Sequence, residues 1–512
     1  MGSSSIHSTN IILNHDFSGG LHSWHPNSCH AFVTSEESAY PEVVTTKLSG
    51  HYAVATNREK SWQELKQVIT ERVSTGCTYT VCALVGVSGA PHGVDNVEAT
   101  LILEYGNSEE ILVHWKHDSA LGNSILWLRR VPRLDLLVVG LHIFPVDRHA
   151  RFSHLKQQIE KIRKRDIILK FTSDSGPLVG NSVKIRQTEN SFPFGSFINR
   201  RNIVNEEFVD FFSKNFNRTV FGNELKWVWT ERRKGKLNYK EAEELLNFCI
   251  SRNIQVRGHC IFEEVESAVQ SWVSGLEEDE LMSAVENRLS DLLTCYKGKF
   301  KHYDVNNEML HGSFYQDHWG EYIRAYMFKI ATQLDPSAIL FVNDYHIEDG
   351  CTCDPRSSPE KYIEHIIDLQ EQGAPLERIG IQGHMNSPVG PIVCSTLDKL
   401  RDKIPGLPIR FTELDVSSDN EHIRADDLEV MLREAFAHPA VDGIMLWGFW
   451  ELLMSRDNAH LVNAEWDINE AGNRYLALKQ EWLSHAHGIQ TNKVNLSLED
   501  FMDRTKLKLL LL

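Results

Sequence analysis

After about residue 176, short apolar stretches alternate with amphipathic ones, and this alternation limits the fold more than any other feature. Eight stretches have the pattern of buried strands, and amphipathic segments with helical spacing lie between them, as in Tyr239 to Arg252 and Pro359 to Gln372. Strands that are apolar almost throughout and alternate with helices are typical of parallel sheets covered on both faces. The predicted strands are PFGSFI (193–198), TVFGNELKW (219–227), QVRGHCIF (255–262), HYDVNNE (302–308), ILFVNDY (339–345), IGIQGH (379–384), IRFTELDV (409–416) and GIMLWGFW (443–450).

The number of these strand–helix units selects the fold class. Eight parallel strands, each followed by a helix, form a (β/α)8 barrel, so we predict an α/β TIM barrel over residues 176–488. An open, doubly wound sheet is the alternative, although it usually has fewer strands. The first strand is not followed by a GxGxxG motif, which also weakens a dinucleotide-binding interpretation.

Residues 9–148 predict a separate all-β domain. Their apolar runs AFVTS, HYAVAT, TYTVCALVGVSG and ATLILEY are short and separated by Gly, Asn and Ser turns, as in a jelly-roll-like β-sandwich. A basic helical pattern from Ser153 to Lys164 predicts a linker helix within residues 149–175. The tail, residues 489–512, has no assignment. Several domains are expected for a chain of 512 residues.

Composition and charge exclude several classes of function. A net charge of -17 argues against a nucleic-acid partner, which requires a basic face. No run approaches 18 apolar residues, so no membrane span is expected, and the opening MGSSSIHSTNIILNHDF has no apolar core of a secretory signal. The nine cysteines include only a lone Cys351-x-Cys353, without a second pair, and therefore predict no metal site. We expect no cofactor and a monomeric protein.

Polar residues lie at or near the ends of seven of the eight predicted strands. In a barrel the carboxyl ends of the strands meet at one face, where active sites are built. A single polar residue in such a place is more often structural, whereas a ring of them predicts a site. The residues are Asn223, Lys226, His259, Asn307, Glu308, Asn343, Asp344, Gln382, His384, Glu413, Asp415 and Trp447.

Two carboxylates stand out in this ring. Glu308 ends the fourth predicted strand and Glu413 lies near the end of the seventh, so they face each other across the barrel mouth. Each alone is better explained by a salt bridge, but the pair predicts glycoside hydrolysis, which needs two carboxyl groups. Asn307 can donate to a sugar 2-OH. His384, oriented by Asp415, would keep Glu413 ionised.

The motifs around these residues resemble a known family. YDVNNE, FTELDV, LFVNDY, GIQGH and MLWGF are similar to segments of glycoside hydrolase family 10, the endo-1,4-β-xylanases, and most similar to its plant members. The resemblance implies endo-acting, retaining cleavage of β-1,4-xylosidic bonds in xylan, with Glu308 as acid/base and Glu413 as nucleophile, and no metal. It also implies a location outside the cell or in the cell wall. The substrate-binding residues that it implies are Asn223, Lys226, His259, Asn307, Gln382, His384 and Trp447.

The first domain also has a family resemblance. NIILNHDFSGGLHSWHPNSCHAFV and VATNREKSWQELKQVITERVSTGCTYTV are similar to carbohydrate-binding module family 22, a β-sandwich that binds xylan. By that likeness Arg58 and Trp62 are candidate ligand contacts.

Two positions depart from the pattern of the hydrolase family. Gly222 replaces a glutamate of the second-strand motif, and Glu263 replaces a tryptophan that the family places four residues after the histidine corresponding to His259. These changes remove a hydrogen-bonding carboxylate and a stacking platform, and Glu263 adds a charge near the catalytic pair. A xylan- or glycan-binding protein with a weakened or inactive barrel therefore stays open as an alternative. A different glycosidase on the same barrel also stays open.

Overall fold

The structure of the protein is a computed structural model. It forms two compact units, Met1–Ser153 and His154–Leu512, which are described separately. The residues described are 10–35, 51–60, 63–69, 72–73, 78–87, 98–105, 108–112, 123–129, 135–146, 148–164, 166–168, 182–348, 356–489, 497–499 and 506–511.

The first unit consists of two antiparallel sheets. One sheet has the strand order β1-β4-β8-β6-β7 and the other β2-β3-β9-β5. Their shared core includes Ala53, Leu65 and Val138, together with a Phe17–Trp24 ring contact at 5.4 Å. The predicted β-rich fold is confirmed. The strands are β1 His25–Pro26, β2 His30–Thr34, β3 Tyr52–Thr56, β4 Leu65–Val68, β5 Thr78–Val87, β6 Glu98–Tyr105, β7 Ser108–Leu112, β8 Asn123–Arg129 and β9 Leu136–Val146.

The segment predicted to be a linker contains a helix that begins before Ser153, and its linker role stays a prediction. Helix α1 spans Arg148–Arg163, and its last residue is buried. The guanidinium of Arg163 donates to the backbone carbonyls of Phe436 at 2.8 Å, His438 at 2.8 Å and Val441 at 2.7 Å. Three hydrogen bonds from one charged side chain thus hold the end of α1 in place within the second unit.

The second unit contains a closed barrel of eight parallel strands. Each barrel strand pairs with two neighbours, and pairing of β14 with β16 closes the ring. The predicted TIM barrel is therefore confirmed. The barrel strands are β12 Phe194–Ile198, β13 Arg218–Phe221, β14 Gln255–Gly258, β16 His302–Asn307, β17 Ile339–Asp344, β18 Arg378–Ile381, β20 Ile409–Val416 and β21 Val441–Leu446, and the short strands β15 Phe262–Glu263 and β19 His384–Met385 lie beside them.

Every barrel strand is followed by a helix that covers the sheet. Among the described residues, no helix is both long and apolar enough to cross a membrane. The helices are α2 Glu206–Asn215, α3 Trp227–Thr230, α4 Lys240–Ser251, α5 Ser271–Ser274, α6 Glu278–Cys295, α7 Phe314–Trp319, α8 Tyr322–Leu334, α9 Pro359–Glu371, α10 Gly390–Lys403, α11 Glu421–Ala437 and α12 Glu470–Glu481.

Four predicted strands were too long at their carboxyl ends. The third stops at Gly258 and the sixth at Ile381, and the other two end at glycine-containing turns. The second stops at Phe221, because the chain turns at Gly222 and enters the short helix α3. The eighth stops at Leu446, and Gly448 then adopts φ 105°, a conformation that favours glycine. Both corrections move polar residues out of strands and into the loops above the barrel.

A further sheet lies at the amino-terminal end of the barrel. It has the order β22-β11-β24, with β11 Ser182–Glu189 antiparallel to both β22 His485–Ile489 and β24 Lys506–Leu511. We call it the closing sheet, because it joins the segment before the first barrel strand to the segment after the last helix. The buried side chain of Gln187 accepts a hydrogen bond of 2.9 Å from the Ser484 N–H. The unassigned tail thus contributes β24, and also β23 Ser497–Glu499, which pairs with β10 Asp166–Ile168.

Candidate active site

Glu308 lies directly after β16 in a strained backbone conformation. Its φ is 58°, in the left-handed region that non-glycine residues rarely adopt. The turn is held by its N–H, which donates to the Asn343 carbonyl at 3.1 Å, and by its carbonyl, which accepts from the N–H groups of His311 and Gly312 at 3.0 Å. The strand therefore ends in a fixed turn that determines where this carboxyl group lies.

The Glu308 carboxyl group has surroundings that favour its protonated form. Burial raises its pKa, and the negative charges of Glu413 and Asp344 raise it further, against the opposing effects of Gln382 and Lys226. The Gln382 Nε2 donates to Glu308 Oε1 at 3.0 Å. A carboxyl group with a raised pKa is suited to act as a general acid.

Glu413 lies within β20 and has the opposite electrostatic setting. Burial alone would raise its pKa, but His259, His384 and Arg257 hold the pKa below its usual value. Asn343 Nδ2 donates to Glu413 Oε1 at 3.1 Å, and His384 Nε2 lies 3.8 Å from Oε2. The group is therefore an ionised carboxylate over the ordinary pH range, as a nucleophile or base must be.

His384 is held in its charged form by a second carboxylate. Its Nδ1 lies 3.0 Å from Asp415 Oδ2, and Asp415 in turn pairs with Arg456. Burial would lower the pKa of His384, but the hydrogen bond to Asp415 and the contact with Glu413 raise it to about 10. The ring therefore brings a positive charge to Glu413.

Asn307 is oriented by a buried amide network. Asn343 Nδ2 donates to Asn307 Oδ1 at 2.9 Å, and Thr412 Oγ1 donates to Asn343 Oδ1 at 2.6 Å. Because the Asn307 oxygen accepts from Asn343, its amide nitrogen points the other way. That nitrogen lies 3.3 Å from Glu263 Oε2, at the cleft side of the strand end.

His259 and Trp447 form an adjacent wall. His259 Nδ1 lies 2.9 Å from Asp304 Oδ2, which also pairs with Arg257, and burial lowers the pKa of His259. Trp447 meets the His259 ring edge-on at 5.4 Å and the Phe197 ring at 5.2 Å, and it remains half-buried. An indole that is packed on two sides and open on another can serve as a stacking surface.

The loop after β13 contributes Asn223 and Lys226. Asn223 is exposed, and Lys226 is half-buried. Burial would lower the pKa of Lys226, but the acidic groups Cys260, Glu263, Glu413 and Glu308 raise it. Lys226 therefore supplies a positive charge to a cleft that contains several carboxyl groups.

Gly222 leaves space in this loop. A Cβ atom there would meet only the Phe197 ring at 3.5 Å and Glu224 Oε2 at 4.0 Å. The Glu224 carboxylate accepts from the backbone N–H groups of Arg200 at 3.0 Å and Asn223 at 3.1 Å. Glu224 thus stabilises the loop, and a Cβ atom at position 222 would make only ordinary van der Waals contacts.

The structure places the nine predicted site residues of the second unit at the carboxyl end of the barrel. It also places there residues to which the sequence assigned no role in the site. Asn343 had been noted at a strand end, and Asp304 is a charge within a buried strand, which is a signal of its own. Arg456 lies in a loop, and no sequence pattern indicated a role for it in the site. Among the described residues, no group of three His, Cys, Asp or Glu side chains is arranged to hold a metal ion.

The two predicted ligand contacts of the first unit are Arg58 and Trp62. Arg58 is buried, its Nε donates to the Gln63 carbonyl at 2.6 Å, and Glu64 is a nearby opposite charge. Trp62 lies outside the described residues. The ligand-binding role of both stays a prediction.

Comparison with known proteins agrees with this geometry. Residues 184–466 match the model of glycosyl hydrolase family 10, and residues 9–117 match a carbohydrate binding domain. The chain belongs to glycosyl hydrolase family 10. Among solved structures of the same barrel, the Penicillium canescens endo-1,4-beta-xylanase XylE aligns with a TM-score of 0.51 and 20% identity over 56% of this chain and 94% of that one.

Two plant proteins are similar to most of the chain. Endo-1,4-beta-xylanase 1 of Arabidopsis thaliana is 59% identical over 456 residues, 86% of this chain and 48% of that protein. Endo-1,4-beta-xylanase 3 of the same plant is 55% identical over 466 residues, 86% of this chain and 61% of that protein. The chain thus spans about half to three fifths of the length of these relatives.

Proposed function

We propose that the protein is an endo-acting, retaining glycoside hydrolase that cleaves β-1,4-xylosidic bonds in xylan. Glu308 protonates the leaving oxygen while Glu413 attacks the anomeric carbon, and Glu308 then activates the water that releases the sugar. The observation that carries the proposal is that Gln382 contacts two glutamates whose carboxyl pKa values are shifted in opposite directions. Its side chain donates to Glu308, and its carbonyl accepts the Glu413 N–H at 2.9 Å.

The cleft residues have roles that follow from their contacts. Asn307, oriented by Asn343, presents its amide nitrogen for the sugar 2-OH beside Glu413. Trp447 offers a ring face to a pyranose, and His259 supports that ring. Asn223, Lys226 and the other cleft groups would bind sugar hydroxyls.

Product analysis on soluble xylan tests this function. We expect internal cleavage into short oligosaccharides, with the β configuration retained in the first product seen by NMR. Glu308→Gln should reduce kcat by at least about 100-fold, and Glu413→Gln should abolish turnover, whereas Glu278→Gln on the exposed start of α6 should have no effect. Release of reducing sugar no faster than that of the Glu413→Gln protein contradicts the proposal.

The alternative is a glycan-binding protein with a weakened barrel, and Glu263 favours it. A carboxyl group replaces a stacking surface there and adds acidity beside Glu308. This alternative predicts binding of xylo-oligosaccharides by calorimetry without hydrolysis, and a gain of activity in the Gly222→Glu, Glu263→Trp double variant. Efficient cleavage by the unmodified protein excludes it.

The first unit and the location of the protein extend the proposal. We assign the sandwich a xylan-binding role through Arg58 and Trp62, and Trp62→Ala should reduce retention on insoluble xylan without changing hydrolysis of a soluble oligosaccharide. Action on a wall polymer requires a location outside the cell or in the cell wall. Fractionation of tissue into wall, apoplastic and intracellular material tests that location.

A further inference from the structure

A third carboxyl group lies beside the predicted catalytic pair. Strand β15 runs parallel to β16, with Glu263 opposite Asn307, the residue that precedes Glu308. The Asn307 Nδ2 lies 3.3 Å and 3.5 Å from the two oxygens of Glu263, and the Cys260 Sγ donates to Oε2 at 3.2 Å. Glu263 is half-buried in the wall of the cleft.

Glu263 differs from the next residue, Glu264, because it does not belong to a structural ion pair. Glu264 is fully buried, where it binds Arg324 Nε at 2.8 Å and Asn306 Nδ2 at 2.9 Å. Adjacent side chains of a strand point in opposite directions, so Glu263 faces the cleft. Within the described part of the chain it forms no ion pair.

Several charged or titratable groups face Glu263. Glu308 does so from the turn after β16, Lys226 from the loop after β13, and Cys260 from its own loop. Tyr315 on α7 is a further titratable neighbour. Burial raises the pKa of Glu263 to about 8, and the negative charge of Glu308 contributes to that rise against the influence of Lys226.

The amide network connects Glu263 to both predicted catalytic groups. Asn307 donates to Glu263 and accepts from Asn343, and Asn343 also donates to Glu413. Any change at Glu263 therefore acts on the amide that is expected to meet the sugar. The three carboxyl groups belong to one hydrogen-bonded and electrostatic unit.

We propose that Glu263 is a positioning residue that holds the Asn307 amide and shares the titration of Glu308. The inference rests on the proposed function, in which Glu308 is the acid/base. Two carboxyl groups that repel each other lose their protons in two steps that belong to the pair. After the first step the remaining proton resides on either group, so a fraction of the molecules keeps Glu308 protonated until the second step.

The proton shared by Glu308 and Glu263 can be followed through the proposed reaction. When Glu308 gives its proton to the leaving oxygen it becomes a carboxylate, and its charge then keeps Glu263 neutral. When water attacks the glycosyl-enzyme, the C–O bond to Glu413 breaks, a new C–O bond forms to the water oxygen, and the water proton returns to Glu308. In the molecules in which Glu263 is protonated, it keeps its proton over the cycle and so limits the negative charge around the sugar.

An unfolding experiment tests the coupling without turnover. We compare Tm of the full chain from pH 4.5 to pH 8.5 for wild type, Glu263→Gln, Glu308→Gln and the double variant, with Glu266→Gln on the exposed neighbouring turn as control. A carboxyl whose folded pKa is raised destabilises the fold as pH rises from its unfolded pKa toward its folded one. Glu263→Gln should therefore exceed wild type in Tm by about 3 °C at pH 8.5 and by less at pH 4.5.

The double variant decides whether Glu308 is the partner. In the Glu308→Gln background the Tm advantage of Glu263→Gln should become smaller, because burial still raises the pKa of Glu263 but the added contribution of the Glu308 charge is gone. The proposal is overturned if Glu263→Gln raises Tm equally in the wild-type and Glu308→Gln backgrounds, or in neither. Gln keeps an oxygen that accepts from Asn307, so the comparison isolates charge from hydrogen bonding.

The pH dependence of kcat/KM on an aryl β-xylobioside gives the second readout. The alkaline limb of wild type should be broad with a last step near pH 8, and that of Glu263→Gln should fall in a single step at lower pH. Superimposable profiles overturn the proposal. Absence of turnover at every pH refutes the proposed function instead. In that case the unfolding comparison by itself tests whether Glu263 and Glu308 are coupled.

Discussion

The charge on His384 can be tested through stability with Asp415→Asn. The ring nitrogens of His384 lie 3.0 Å from Asp415 and 3.8 Å from Glu413, and these contacts raise its pKa from 6.5 to about 10. A rise of this size corresponds to roughly 5 kcal/mol in favour of the charged ring. Asn keeps the size of Asp415 and an acceptor oxygen but has no charge, so we expect it to remove about 2 kcal/mol of this stabilisation.

The sign of the pH dependence follows from the raised pKa. Such a histidine stabilises the fold fully below its unfolded pKa, near 6.5, and this contribution is lost as pH rises through about 10. The stability difference between wild type and Asp415→Asn should therefore be large at pH 7 and decrease by at least about 1 kcal/mol at pH 10. Urea unfolding followed by tryptophan fluorescence measures the free energy of unfolding at each pH.

The control variant separates this effect from the loss of a buried ion pair. Asp457→Asn changes an exposed carboxylate next to Arg456 and should leave stability unchanged at both pH values. Loss of the Asp415–Arg456 pair costs stability at every pH, so only the difference between pH 7 and pH 10 reports on His384. A constant difference between wild type and Asp415→Asn would refute the reasoning.

Three further predictions concern neighbouring residues. Glu264→Gln leaves Arg324 without its buried counter-charge and should lower the free energy of unfolding by about 3–5 kcal/mol, and a cost below about 1 kcal/mol in urea unfolding would contradict the buried pair. Asn343→Leu removes the donor to Glu413 and should lower kcat/KM by at least about 10-fold in steady-state kinetics; an unchanged value would contradict its role. Trp447→Ala should raise KM more than it lowers kcat, whereas a loss in kcat alone would contradict a stacking role.

Much of the fold was predictable from local sequence patterns. The strand HYDVNNE ends in polar residues because it ends at the barrel mouth, and both the strand and the position of Glu308 were predictable from that pattern. The segment IRFTELDV predicted the strand of Glu413 over its whole length. The strand after residue 218 was too long in the prediction, since alternating polarity does not reveal that the chain turns at Gly222.

The contacts inside the site were less predictable because they join distant parts of the chain. Asn343 comes from β17, whereas Thr412 and Glu413 come from β20, and only the barrel curvature brings these side chains together. The departure at Glu263 was visible in the sequence, but its hydrogen bond with Asn307 depends on the short strand β15. The tail gave no signal, because its partner β11 lies some three hundred residues earlier.

The closing sheet holds the two ends of the barrel domain side by side. Since Ser182 lies opposite Ile489 and Arg186 opposite His485, the two ends of the barrel domain are one strand spacing apart, about 5 Å. A circular permutant that joins these ends with a short linker and opens an exposed helical loop should keep the barrel intact. Because both ends leave from the floor of the barrel, opposite the predicted catalytic residues, the linker of such a permutant should not pass over the candidate active site.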